Sequence, residues 1–510
     1  MQIDARHVPL LIAAAFALGG ALALLGRAVR AIPRGEHLMD RRLASVLLAV
    51  VALSATFNYF VLGRDPDQFV KTWDVKHTYF GSKYARELGY FRIYECILLF
   101  DAQTHRHHTG VRAVHDLRTP VGLAPPEKLI RETDCASRFD AARRREFVSD
   151  LAFFDALPRQ PKAAAWFADN GYNMTPFFTA LTSPLFNLLP LGYSMFLGLS
   201  LVDVALELLV FLFVFRTFGA RLGLLSAIFF FTNFSNQFAA MGGAILRFGY
   251  VVCVILAACA LARGRHRAAG VALGFAALLQ VFPAAYALGL LLWAAYRGLR
   301  ERRVPEGVVP FCAAFALTLA VGLLVSLAAV GVDAWREFLE KMALHNLQLS
   351  QYRVGLKLLF VLDFPLPPGG ALAYAEKIDT LREALPLYAL CAAALVLAAL
   401  STAPRLSELE FSLLFGTVVL YVLTPVHYYF STLVLLVFLG RNPLEDTTAR
   451  LTRTLLFALS AGAFLVFLHT DSLVVVNNYW LSIGLLLVLS VQIAALHAER
   501  TALAWATGRP

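Results

Sequence analysis

The stretch Trp73-Asp74-Val75-Lys76-His77-Thr78-Tyr79-Phe80 lies near the start of a long polar region in an otherwise apolar chain. Apolar segments of membrane-spanning length recur before this region and again after it, up to residue 497, whereas residues 64–175 are polar, charged and rich in histidine. A carboxylate just outside a bilayer, among aromatic and basic side chains, is suited to chemistry on a lipid headgroup. The contrast favours an integral-membrane enzyme over a plain transporter.

The composition predicts a membrane protein. Of 510 residues, 59% are hydrophobic and the mean hydropathy is +0.64, which is too apolar for a soluble chain. A helix needs about 20 apolar residues to cross a bilayer core of roughly 30 Å. We predict membrane spans at 8–26, 44–63, 195–215, 222–239, 246–262, 306–331, 385–402, 409–425, 427–440, 454–469 and 479–497.

Residues 268–296 are predicted to form two short helices broken at Pro283, because proline has no N–H to donate. The expected fold is therefore an all-α polytopic membrane protein of about 13 helices. Residues 1–510 form a single integral-membrane domain, with a large exterior loop at 64–194 that includes amphipathic interfacial helices. A second exterior loop is expected at 332–384.

Arginines set the predicted orientation, because cytoplasmic loops are enriched in basic residues. Every second junction is basic, with Arg27, Arg30, Arg34, Arg41, Arg42, Arg216, Arg221, Arg263, Arg265, Arg267, Arg297, Arg300, Arg302, Arg303, Arg405, Arg441, Arg450, Arg453 and Arg500. The pattern places the N-terminus and the large loop in the periplasm and the C-terminus in the cytoplasm, as in a bacterial inner membrane. The net charge of +10 then reflects topology rather than nucleic-acid binding.

Two helices are predicted inside the large loop. Residues 75–97 are rich in aromatic side chains and suit a helix lying in the headgroup layer. Residues 139–168 read as an amphipathic helix, with arginines opposite Phe147, Leu151 and Phe154. Two alternatives remain for the loop cysteines Cys96 and Cys135, which either form a disulfide in an oxidising compartment or stay unpaired.

Asp74 is the leading candidate for catalysis. It lies shortly after a predicted span, at the depth of a lipid-linked phosphate, where a carboxylate can accept a proton from an attacking hydroxyl. The alternative is a helix N-cap, for which aspartate is among the best residues. His77 and Tyr79, on the same segment, are candidates for lining an acceptor site or cavity.

The second exterior loop contains candidate ligands for a phosphate. Arg353 and Lys357 are four residues apart, as on one helix face, and His345 lies upstream. Arginine suits bidentate phosphate contact and lysine acts as a point charge, although snorkelling of basic side chains is the alternative. Arg247, alone in its exterior turn, is a weaker addition. His427 and Tyr428, at another exterior turn, are expected to line the same cavity, unless they form part of an aromatic belt.

Histidines raise the question of a metal. His105, His107, His108 and His115 lie near Asp101 and Asp116, but their spacing lacks the i, i+4 pattern of helical zinc motifs. A solvated loop is the favoured interpretation, so neither a metal site nor another cofactor is predicted; a divalent metal is the weaker alternative.

Asp203 and Glu207 are ionisable groups inside a predicted span, four residues apart on one helix face. Such groups are costly in a bilayer and usually functional. They either line a proton path, as in a secondary transporter or lipid flippase, or face an internal polar cavity.

Three segments together resemble the GT-C superfamily of membrane glycosyltransferases, most closely the polyprenol-phosphate-sugar-dependent family eighty-seven. They are Trp73-Asp74 with the turn Gly89-Tyr90 to Ile93-Tyr94, then Met174-Thr175-Pro176-Phe177-Phe178 with Ser183-Pro184-Leu185, and residues 269–275 through Phe282-Pro283. Gln280 is a departure, since relatives commonly have lysine before the proline, and the histidine-rich insertion has no counterpart.

The resemblance implies transfer of a sugar from a polyprenyl-phosphate donor to a lipid or glycan acceptor on the exterior face, with inversion at the anomeric carbon. It assigns the base to Asp74 and places His345, Arg353 and Lys357 near the donor phosphate. The alternative remains a transporter or flippase that uses Asp203 and Glu207.

Overall fold

The computed structural model describes residues 7–29, 38–60, 69–104, 110–157, 163–238, 242–362, 374–440 and 447–507. Several features discussed above lie outside these residues, namely His105, His107, His108, Arg30, Arg34 and Arg441. The structure is 79% helical with almost no strand. The all-helical expectation is therefore confirmed.

Helices of the apolar part lie on both sides of a polar insertion. The two before it are α1 (Val8–Val29) and α2 (Leu38–Phe60). Those after it are α10 (Pro176–Leu188), α11 (Tyr193–Phe218), α12 (Ala220–Thr232), α13 (Gly249–Ala262), α14 (His266–Leu279), α15 (Ala284–Glu301), α16 (Val308–Val330), α17 (Val332–Leu347), α18 (Tyr374–Glu383), α19 (Leu385–Leu400), α20 (Glu408–Leu423), α21 (Val434–Val437), α22 (Thr447–Thr470) and α23 (Ser482–Thr507). Short 3₁₀ helices form at Phe234–Asn236, Leu356–Phe360 and His427–Leu433, and a π-helix forms at Val474–Leu481.

Several of these helices are long and apolar enough to cross a membrane. Five qualify in the described part of the chain: Leu43–Phe60, Tyr193–Phe218, Val308–Val330, Thr447–Thr470 and Val474–Ala498. A sixth candidate is a pair of helices, Ala375–Glu383 and Leu385–Leu400, bent by 72°. Shorter apolar helices form at Val8–Leu24, Ala220–Thr232, Gly249–Ala262, His266–Leu279 and His427–Val437. The chain is therefore a multi-pass membrane protein.

The predicted break at Pro283 is confirmed. Helix α14 ends at Leu279, and Pro283 occupies the N-cap position of α15. Proline fits a helix start because the first N–H groups of a helix have no partner within it. Two successive helices result, joined by residues 280–283.

The described residues between 69 and 174 form what we call the inserted unit. It contains α3 (Thr72–Lys83), α4 (Ala85–Leu88), α5 (Ile93–Thr104), β1 (Val114–His115), β2 (Leu123–Ala124), α6 (Pro126–Glu132), α7 (Cys135–Arg138), α8 (Ala141–Ala156) and α9 (Ala163–Phe167). The two strands pair antiparallel. The unit has its own hydrophobic cluster, which also takes in Phe196, Ile245 and Phe338 from neighbouring elements. Burial of these shared side chains fixes the unit against the apolar part.

Both helices that the sequence predicts within this unit differ from those in the structure. Residues 75–97 do not form one helix, because the chain breaks at Tyr84 and again at Gly89, where φ is 53°. The Tyr90 N–H there donates to Glu337 Oε2 of α17 at 2.8 Å. The aromatic side chains of this stretch are buried in the cluster of the unit rather than arrayed on an exposed helix face.

The second predicted helix is shorter than expected. It begins at Ala141, where the Asp140 side chain accepts hydrogen bonds from two backbone N–H groups as an N-cap, and it ends at Ala156. Phe147, Leu151 and Phe154 are buried, as the amphipathic pattern predicted.

A disulfide joins Cys96 and Cys135, so the pairing alternative is confirmed. It links α5 to the start of α7. The other cysteines in the described residues, Cys253, Cys259, Cys312 and Cys391, are free thiols in apolar helices.

Removing the disulfide is expected to destabilise the inserted unit. The bond closes a loop with a sequence separation of 39 residues, and a closure of this kind typically contributes about 2–4 kcal/mol. We expect the double variant Cys96→Ala/Cys135→Ala to unfold at a lower temperature, measured by intrinsic fluorescence in detergent. The control Cys391→Ala, which removes a free thiol, should melt as wild type does. Equal melting of both variants and wild type would contradict a stabilising disulfide.

Candidate functional site

A cavity of about 480 Å³ lies between the inserted unit and the apolar helices. Small-molecule sites typically have volumes of about 300–1,000 Å³. The polar and aromatic residues that line it include Lys71, Trp73, Asp74, His77, Asp169, Asn170, Gln237, Arg247, Tyr250, Gln280, His345, Tyr352, His427, Tyr428 and Tyr429. Six of the candidate site residues predicted from the sequence are among them: Asp74, His77, Arg247, His345, His427 and Tyr428.

Asp74 is the third residue of α3, and Lys71 occupies the N-cap position. The N-cap interpretation of Asp74 is therefore wrong. Its Oδ1 lies 3.0 Å from a terminal guanidinium nitrogen of Arg247, and its Oδ2 lies 3.1 Å from Lys71 Nζ. Both carboxylate oxygens thus face a cation at the cavity wall.

The ion pair is largely buried, with 12% of the Arg247 side chain and 15% of the Asp74 side chain exposed. Burial acts to raise the pKa of Asp74, but Arg247 and Lys71 outweigh it and lower the pKa to about 2. Burial acts to lower the pKa of Arg247, yet Asp74 and two neighbouring tyrosines keep it above its usual value. Both groups are charged near neutral pH, and Asp74 is a weak base for as long as the pair persists.

Backbone contacts place Arg247 opposite Asp74. The Lys71 N–H, immediately before α3, donates to the Gly243 carbonyl at 3.0 Å. The segment 242–248 therefore lies against the start of α3. The Arg247 guanidinium lies 4.9 Å from the centre of the Tyr428 ring, so it also makes a cation–π contact.

Trp73 and His77 form a second part of the wall. The Trp73 indole N–H donates to Asp169 Oδ2 at 2.6 Å, and the same oxygen lies 3.9 Å from His77 Nδ1. Nε2 of His77 is 3.0 Å from the Tyr94 hydroxyl. Burial lowers the pKa of His77 to about 4 although Asp169 and Asp74 act in the opposite direction. This imidazole is therefore neutral near pH 7.

Tyr79 does not line the cavity. Its hydroxyl donates to Asp150 at 2.8 Å within the core of the inserted unit, where Lys83 also bonds to Asp150. Because Tyr79 lies five residues after Asp74 on the same helix, it points away from the face that borders the cavity.

His345, in the last turn of α17, reaches the cavity. Burial lowers its pKa well below the usual value, and the charges of Arg353 and Lys341 add to this effect. His345 is therefore a neutral hydrogen-bonding group rather than a cation.

Arg353 and Lys357 lie behind the lining. The Arg353 guanidinium bonds to the carbonyl oxygens of His345 and Thr424, and Lys357 Nζ donates to Asn346 Oδ1 at 2.8 Å. The prediction that these two cations share a helix face is wrong. Arg353 instead forms a β-bridge with Val426, and Gly355 has a φ of 141° before the 3₁₀ turn that contains Lys357.

The same bridge holds the cavity turn that contains His427 and Tyr428. The His427 N–H donates to the Tyr352 carbonyl at 2.6 Å. Two asparagines of the π-helix, Asn477 and Asn478, donate to the carbonyls of Gln351, Ser350 and Arg353. These bonds order the two segments that form one side of the cavity.

Asp203 and Glu207 are buried on one face of α11 and do not line the cavity. Oδ2 of Asp203 accepts the Arg247 N–H at 3.2 Å. The carboxylate thus lies directly behind the residue that faces Asp74.

Among the described residues, no group of three or more His, Cys, Asp or Glu side chains is arranged to hold a metal ion. His115 is buried, and its ring nitrogens lie 3.0 Å and 3.1 Å from the carbonyl oxygens of Asp169 and Thr119. It therefore packs within the inserted unit.

Several cavity residues went unrecognised in the sequence. Lys71 precedes Asp74 by three residues, and this spacing on a helix was a usable signal. Asp169 precedes the turn Asn170-Gly171, but nothing local indicated its contact with Trp73. Gln280, noted as a departure, lines the cavity, and its Oε1 accepts from the Tyr429 hydroxyl at 3.0 Å.

No protein family, curated protein or solved structure matches this chain significantly.

The lowered pKa of Asp74 predicts a defined pH dependence of stability. A carboxylate of this kind stabilises the fold above its unfolded-state pKa, near 3.9, and this contribution is lost as the pH falls through the folded-state pKa of about 2. We expect the melting-temperature difference between wild type and Asp74→Asn to stay constant from about pH 8 to 5 and to shrink below about pH 4. The control Asp333→Asn, at an exposed position of α17, should have the melting temperature of wild type at both ends of this pH range. A difference that already declines between about pH 7 and 5 would mean that the cations do not hold Asp74 ionised.

Proposed function

We propose that the protein is a glycosyltransferase of the GT-C type, which moves a hexose or pentose from a polyprenyl-phosphate donor to a lipid or glycan acceptor. The observation that supports this most directly is the carboxylate of Asp74, paired with Arg247 and Lys71 in a cavity beside apolar helices. A lipid-linked phosphate needs both an apolar surface for its chain and cations for its headgroup.

In this proposal Arg247 and Lys71 bind the donor phosphate, with His345 as a neutral hydrogen-bond partner. Arginine offers several N–H donors to the phosphate oxygens, and lysine adds charge. A bound phosphate competes with Asp74 for both cations. The carboxylate is then held less strongly, its pKa rises, and it becomes a better base.

The transfer step itself needs a nucleophile and a leaving group. The acceptor hydroxyl oxygen attacks the anomeric carbon and gives its proton to Asp74. The bond between that carbon and the phosphate oxygen breaks, and polyprenyl phosphate leaves with the electron pair, stabilised by Arg247 and Lys71. Attack opposite to the leaving group inverts the anomeric centre.

The proposal includes about 13 transmembrane helices and places the inserted unit in the periplasm of a bacterial inner membrane. The disulfide between Cys96 and Cys135 supports an oxidising compartment for this unit. The rival function is a secondary transporter or lipid flippase that uses Asp203 and Glu207. The hydrogen bond from the Arg247 N–H to Asp203 supports a role for Asp203 in the same site instead.

The first test removes the proposed base. Asp74→Asn keeps the shape of the side chain but cannot accept a proton, so we expect sugar transfer to fall by about 10²–10⁴-fold. The assay is transfer of radiolabelled sugar in proteoliposomes from a panel of polyprenyl-phosphate hexoses and pentoses. Asp333→Asn serves as the matched control and should retain wild-type activity. Full activity of Asp74→Asn would exclude this aspartate as the base.

The second test separates binding from chemistry. We expect Arg247→Gln to weaken binding of polyprenyl phosphate by about tenfold or more, because it removes charge-assisted hydrogen bonds. Asp74→Asn should bind at least as well as wild type, since it releases both cations. The matched control is Arg336→Gln, at a side chain that is 78% exposed and pairs with Glu340 on the next turn of its helix. Binding would be measured by native mass spectrometry of the purified protein. Equal binding by Arg247→Gln and wild type would argue against a phosphate site at Arg247.

A further inference from the structure

The segment that presents Arg247 has an unusual backbone. Gly243, Ile245 and Leu246 all have positive φ values, of 69°, 37° and 54°. Glycine adopts this region freely, whereas a β-branched residue such as isoleucine rarely does. A non-glycine residue in this region is strained and persists only where its surroundings hold it. Such strain is common where a side chain must be held in a particular direction.

Asp203 is one of the groups that hold this segment. It is 3% exposed, and its Oδ2 accepts the N–H of Arg247, the residue directly after the strained pair. A carboxylate inside an apolar helix is costly and calls for a specific role. The hydrogen bond acts on the backbone of Arg247, whose guanidinium faces Asp74 at 3.0 Å.

We propose that Asp203 is a positioning residue that fixes the backbone of Arg247, so that the guanidinium points into the cavity towards Asp74 and a bound phosphate. The effect of Asp203 on phosphate binding rests on the function proposed above. Its effect on the Arg247 backbone does not depend on that function. This role needs an acceptor oxygen at position 203 and does not need a titratable proton.

The amide variant separates this role from proton transport. Asp203→Asn keeps a side-chain oxygen that can accept the Arg247 N–H, whereas Asp203→Ala has no acceptor. We expect Asp203→Ala to weaken binding of polyprenyl phosphate by about tenfold and Asp203→Asn to bind within about threefold of wild type. The matched control is Ser200→Ala, at a buried residue one turn earlier on α11 whose hydroxyl has no hydrogen-bond partner among the residues that the structure describes. It should bind as wild type does. If Asp203→Asn is as impaired as Asp203→Ala, a proton or charge is required and the positioning role is wrong.

A double variant tests whether Asp203 acts through Arg247. Adding Asp203→Ala to Arg247→Ala should cause no further loss of binding, because the side chain that Asp203 positions is already absent. A further loss equal to that of Asp203→Ala alone would overturn the proposal. A general folding defect caused by Asp203→Ala would lower binding both with and without Arg247. The double variant therefore distinguishes such a defect from the positioning role.

Amide hydrogen exchange gives a readout that needs no ligand. Peptides covering residues 242–248 should exchange faster in Asp203→Ala than in wild type, and at near wild-type rates in Asp203→Asn. Unchanged exchange in Asp203→Ala would overturn the proposal. If wild type fails to bind polyprenyl phosphate, the proposed function fails, while exchange still decides the role of Asp203.

Discussion

The ion pair between Asp74 and Arg247 joins the two parts of the molecule. Asp74 belongs to the first helix of the inserted unit, and Arg247 precedes a short apolar helix far along the chain. Two buried charges are stable only when they are paired and hydrogen-bonded. This requirement constrains the position of the inserted unit, and with it the shape of the cavity between the two parts.

Neighbouring groups support each side of this pair. Lys71 contacts the other carboxylate oxygen of Asp74, while Asp203 and Tyr428 contact the backbone and the guanidinium of Arg247. Of these, only Asp203 lies within a helix long and apolar enough to cross the membrane. The hydrogen bond that it accepts from the Arg247 N–H offsets part of the cost of burying this carboxylate.

Apolar length, charge and local turn chemistry made several features predictable. The break at Pro283 and the buried face of Phe147, Leu151 and Phe154 agree with the structure. The sequence left the pairing of Cys96 with Cys135 open, and the structure joins them in a disulfide. Asp74 stood out because it combines a carboxylate with aromatic neighbours just after an apolar segment. The prediction that Arg353 and Lys357 share a face was wrong because a four-residue spacing implies a shared face only in a helix. Gly355 and the bridge to Val426 give that segment another backbone.

The sequence by itself determined that this chain is an all-helical membrane protein with a polar insertion, because hydrophobic length and helix-breaking residues act locally along the chain. Only the tertiary structure decided which charged groups meet. Arg247 reaches Asp74 through backbone contacts between segments more than a hundred residues apart, and Asp169 meets Trp73 across the inserted unit. Such contacts depend on how segments distant in sequence pack together, and no local pattern of residue types predicts that packing.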